Sequence, residues 1–136
     1  MRSRQLTRWV PVVLMVGMAG TLPVQADEFS QEDLKRWEGQ FMEVVKQGRE
    51  LWTRALGSNG VSCAQCHPNA ANTHPETYPK FQKQLGKVAL IADMINWCIR
   101  NPAEGQPMAI DDPRMVAIQA YINYERRGVP MAPGKH

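Results

Sequence analysis

Cysteine is scarce in this 136-residue chain, which holds three: Cys63, Cys66 and Cys98. An odd number argues against a plain framework of paired disulfides in an exported protein. Cys63 and Cys66 lack the second cysteine or histidine pair that a four-ligand zinc site needs. A redox dithiol would want a βαβ setting, and no strand pattern is legible. Aromatic residues are few: four Trp, three Tyr and three Phe. A small domain with so little to bury often depends on a staple or a large buried cofactor. There is no internal repeat.

The first residues have their own logic. Arg2, Arg4 and Arg8 form a positive head, Trp9 to Gly20 is an uncharged apolar run, and Val24-Gln25-Ala26 offers small residues at a cleavage site. This pattern predicts a secretory signal over 1–26, too short for a confident membrane span, and a domain over 27–136. Removing the leader's three arginines from the 16 basic residues leaves 13, equal to the acidic count. The balance excludes any partner inferred from bulk charge, nucleic acid above all. The expected location is the periplasm, with no stable membrane insertion after cleavage.

The rest reads as three helices. Ser30 with Asp33 resembles a capping box, and Leu34, Trp37, Phe41, Val44, Val45, Gly48, Leu51 and Trp52 recur at helical steps toward a turn at Gly57–Gly60. Gly39 or Gly48 could break this segment. From His67 to about Gly86, Pro68, Pro75 and Pro79 predict irregular chain. The second helix is expected over Lys87–Arg100, with Val88, Ile91, Ile95 and Cys98 on one face. Asp112 as cap and Pro113 at the first position open the third, which carries Met115, Ile118 and Ile122 as a stripe and stops near Gly128.

Cys63-Ala64-Gln65-Cys66-His67 is the pattern C-x-x-C-H of a c-type haem attachment site. Two thiols at this spacing can each add to a vinyl group on one porphyrin edge, and the adjacent His67 is then carried beneath the iron. One covalently bound haem c per chain is expected, with Cys63 and Cys66 as anchors and His67 as proximal ligand. A carbonyl in the following loop could fix the His67 tautomer. The distal ligand stays open among Cys98, Met108, Met94, Met115, Met131, His74 and His136. Two rise above the rest: Cys98, on the apolar face of the second helix with Ile91 and Ile95, and Met108, in Gly105-Gln106-Pro107-Met108 just before the last helix.

Gly48-Arg49-Glu50-Leu51-Trp52, the haem motif and a closing helix with Ala120-Tyr121-Ile122 together resemble the class I cytochrome c fold. The resemblance implies an all-α domain in which the first and last helices cross, with Gly48 giving a close approach near Tyr121. It also implies a methionine ligand at the place of Met108. Ile95-Asn96-Trp97-Cys98 followed by Asp112 to Ile122 is similar to the haem domain of the A subunit of Sox-type thiosulfate-oxidising cytochromes. That family's cysteine ligand falls on Cys98, while the basic residue it carries one turn earlier is Met94 here. The resemblance implies single-electron transfer linked to oxidation of sulfur compounds, or an enzyme subunit using Cys98. The implied partner is a redox protein, another cytochrome or a sulfur-oxidising enzyme.

Overall fold

A computed structural model describes residues 29–136. The leader expected over 1–26, and its cleavage point, lie outside the described residues.

Helix α1 spans Gln31–Thr53. Its start matches the sequence reading: Ser30 Oγ accepts the Asp33 N–H at 3.0 Å and the Ser30 hydroxyl donates to the Asp33 carboxylate at 2.7 Å. It passes through Gly39 and Gly48 without a break and stops at Thr53, short of the expected Gly57–Gly60 turn. Only the second half of its apolar stripe is covered. Val45, Leu51 and Trp52 are buried, whereas Leu34, Trp37 and Phe41 are exposed.

One helical turn, α2 at Cys63–Cys66, and two short 3-10 turns, Pro68–Ala70 and Pro75–Thr77, carry the chain around the haem motif. A two-stranded antiparallel hairpin follows, β1 at Lys80–Gln82 and β2 at Lys87–Ala89, with Phe81 opposite Val88. The hairpin corrects the sequence reading, which saw no strand and began the second helix at Lys87. The strands are three residues each, too short for a visible alternation, and Gly86 at φ +64 makes the turn. Helix α3 begins instead at Ile91 and ends at Arg100, because the Asp93 carboxylate accepts the Leu90 N–H at 2.9 Å and caps it there. Val88 therefore leaves the helical face and is 65 % exposed.

Helix α4, Pro113–Glu125, is capped by Asp112 Oδ1, which accepts the Arg114 N–H at 2.9 Å. Met115, Ile118, Tyr121 and Ile122 on it are fully buried. They form the core with Val45, Leu51 and Trp52 of α1 and Ile95 and Ile99 of α3. Helices α1 and α4 cross at Gly48. A Cβ there would run into the Ala117 carbonyl and lie 2.8 Å from Tyr121 Cβ, so only glycine allows this approach.

Candidate haem-binding site

The site is built on the α2 turn. Gln65 Oε1 accepts the Ser62 N–H at 3.0 Å, and the His67 N–H donates to the Cys63 carbonyl at 2.9 Å. These bonds wind the motif into one turn and bring Cys63, Cys66 and His67 together. His67 is then held from two sides. Trp52 Nε1, buried on α1, donates to its carbonyl at 2.8 Å. Its ring Nδ1 is 2.9 Å from the Ala71 carbonyl. A carbonyl can only accept, so Nδ1 carries the proton and Nε2 keeps its lone pair for a metal. The loop carbonyl expected from the sequence is thus Ala71's. Asn69, Ala70, Asn72 and His74 all take left-handed backbone conformations to make this tight wrap.

Cys63, Cys66 and His67 open onto a cavity of about 380 Å³ with largely apolar walls. Helix α3 contributes Met94, Ile95 and Cys98 to the same cavity, and His74 lies on its wall. Burial pushes the Cys63 thiol up to about 11, with the charge of Cys98 adding to it. Burial also raises Cys98, assisted by Cys66. All three sulfurs line this one cavity, and burial holds Cys63 and Cys98 as neutral thiols. An apolar cavity with a C-x-x-C turn at its edge and an imidazole presenting a free Nε2 fits a haem joined by uncharged thioethers.

Of the candidate distal ligands, Cys98, Met94 and His74 reach this cavity. Met108, the alternative in the sequence reading, does not line it: its side chain is 8 % exposed and belongs to the core cluster that includes Met115 and Ile118. The placement has a cause in Asn96, whose side chain bonds both backbone polar groups of Met108. Met115 is core, Met131 is exposed, and neither it nor His136 lines the cavity. Sequence reasoning missed Trp52 as the clamp on His67, and Tyr78, Lys80 and Gln82 as cavity residues. The sequence carries no signal for the last three: Tyr78 precedes β1, and a three-residue strand is too short to show a period.

The model of the SoxA/TsdA cytochrome c domain family matches residues 47–131, which include the haem motif, Cys98 and both crossing partners. The chain belongs to this family. As a SoxA/TsdA-type domain it is a class I-like helical cytochrome c with covalently bound haem c. It is 28 % identical over 111 residues to the L-cysteine S-thiosulfotransferase subunit SoxA of Rhodovulum sulfidophilum, covering 79 % of this chain and 39 % of that protein. It is 26 % identical over 85 residues to the thiosulfate dehydrogenase of Allochromatium vinosum, covering 54 % of this chain and 32 % of that one. The crystal structure of SoxXA from P. pantotrophus superposes with a TM-score of 0.65 at 25 % identity, over 75 % of this chain and 40 % of that chain. The SoxA/TsdA-type domain thus spans about two fifths of the SoxA relative's length. Among the described residues, no helix is long and apolar enough to cross a membrane.

Proposed function

We propose that this chain is a periplasmic electron carrier serving the oxidation of sulfur compounds, with Cys63 and Cys66 as haem anchors, His67 as proximal ligand and Cys98 as distal ligand. The observation that carries the ligand set is that Cys98 and His67 line one apolar cavity while Met108 is packed in the core. When bound, haem c supplies a reversible one-electron iron couple. The protein does the rest. Ala71 holds the His67 proton on Nδ1, and the apolar walls exclude water. Cys98, a neutral thiol without metal, gives up its proton when a metal takes its sulfur. A thiolate favours the ferric form and sets a low potential, where a neutral thioether would raise it. The partner is a second cytochrome or a sulfur-oxidising enzyme.

Mass spectrometry and spectroscopy test the reading together. The denatured mature protein should have the mass of residues 27–136 plus one haem. The ferric protein should be low-spin with thiolate character and without a methionine–iron charge-transfer band. Cys98→Ala should change this spectrum and raise the potential; Met108→Ala should leave both in place. The reverse pair of results transfers the ligand to Met108 and removes the main support for a sulfur-linked role.

A second reading follows from the relatives' enzymatic names: a subunit in which Cys98 takes a sulfur substrate. Met94, on the cavity wall one turn before Cys98, carries no charge, and the cavity's one lysine, Lys80, stands on the hairpin and not on the helix of Cys98. The lack of a basic residue one turn before the sulfur favours the carrier. Exchange of the distal ligand during turnover with thiosulfate would favour the enzyme.

A further inference from the structure

The hairpin turns one side of its first strand toward the haem cavity. Lys80 and Gln82 of β1 line it, as does Tyr78, which precedes the strand, while Phe81 between the two strand residues is 51 % exposed. This is the two-residue alternation of a strand. Gln82 Nε2 donates to the Tyr78 hydroxyl oxygen at 2.6 Å, which leaves the hydroxyl hydrogen free to donate onward. The Lys80 ammonium lies 4.9 Å from the Tyr78 ring centre and forms no ion pair with any described residue. Among the residues lining the cavity, Lys80 is the one lysine or arginine. His74 also lies on the wall, but its Nδ1 is 3.0 Å from the Glu76 carboxylate and so already has an acidic partner.

A haem brings propionate carboxylates as well as its apolar ring. A carboxylate at the wall of an apolar cavity is costly unless it is both paired and hydrogen-bonded. Lys80 offers the charge, and the Tyr78 hydroxyl offers a neutral donor beside it. We propose that one haem propionate is held by the Lys80 ammonium and the Tyr78 hydroxyl on the cavity face of the hairpin. Gln82 is the positioning residue that turns the tyrosine hydroxyl. The assignment rests on the haem reading above and adds the residues that meet the acidic end of the cofactor.

The test is the reduction potential of the holoprotein, with attached haem checked by mass and folding by circular dichroism. Lys80→Gln should lower the potential, because a negative propionate would be left without its compensating charge. The fall should persist at about 1 M salt, where the Debye length is about 3 Å and a merely nearby solvated charge is screened out. Lys80→Arg should restore most of the potential, and Tyr78→Phe should lower it by less. A Lys80→Gln potential equal to wild type, or a difference that vanishes at high salt, overturns the proposal. Titration with sodium sulfate at constant ionic strength separates the other source of the same oxyanion chemistry. If sulfate shifts the wild-type potential and not that of Lys80→Gln, the cluster takes an external oxyanion and the propionate assignment falls. Absence of the haem mass overturns both readings, whereas attached haem with a silent Lys80→Gln overturns this one alone.

Discussion

The Asn96 side chain grips the backbone of Met108 at two points: its Nδ2 donates to the Met108 carbonyl at 2.8 Å, and its Oδ1 accepts the Met108 N–H at 2.9 Å. One amide on α3 thus satisfies both polar groups of a segment whose side chain is core. Asn96→Leu should leave both unpartnered and destabilise the fold by roughly 1–3 kcal/mol. The melting temperature measures it, at about 4–8 °C per kcal/mol for a domain of this size. An unchanged melting temperature would mean that water replaces the amide at no cost.

Trp52 and His67 form the second long-range tether. Trp52→Phe keeps the ring and removes the N–H that reaches the His67 carbonyl. A thermal melt should show a loss of about 1–2 kcal/mol with helix content retained. A loss near zero would show that the loop's own bonds suffice to hold His67.

The two glycines of α1 should respond in opposite directions. At Gly48 a methyl group meets the Ala117 carbonyl, so Gly48→Ala should cost at least ~3 kcal/mol by driving the crossing helices apart. At Gly39 a methyl group meets nothing, so Gly39→Ala should stabilise by about 0.5–1 kcal/mol. Denaturant unfolding of the two variants is the comparison. Equal effects would remove the case for a glycine-dependent crossing.

Glu76 predicts acid sensitivity. Burial pushes its pKa up, but the hydrogen bond with His74 and the charge of Arg126 outweigh this and leave it below the usual carboxylate range. A carboxyl with a lower pKa in the folded than in the unfolded state adds stability above its unfolded value. That stability is lost as the pH falls through the folded value. Glu76→Gln should therefore melt lower than wild type at pH 7. The gap should narrow as the pH drops below about 4. The Glu76 carbonyl also accepts the Ala132 N–H at 2.8 Å, a backbone bond that the substitution leaves intact. A gap that stays constant with pH would assign the effect to packing instead.

What the sequence by itself determined was local chemistry. Five adjacent residues, Cys63 to His67, specify the haem motif because covalent attachment depends on spacing along one turn and not on a finished pocket. Ser30 and Asp112 set helix starts because a cap bonds backbone groups within three residues. The stripe Met115, Ile118 and Ile122 was legible from the helical period, and all three are fully buried. Gly48 was readable only through the resemblance to a fold in which two helices cross. The tertiary structure decided the rest. Cys98 and Met108 are both sulfur-bearing residues after the haem motif, and the sequence ranks them only through resemblance; where each side chain lies is a tertiary matter. The Asn96 bridge across twelve positions draws one into the core, while the pitch of α3 leaves the other on the cavity wall. Lys80 carries no signal of its own in the sequence; the pairing of β1 with β2 sets which side of the strand it takes, and that side is the cavity. A three-residue strand has almost no preference of its own, so its direction comes from the partner strand it meets.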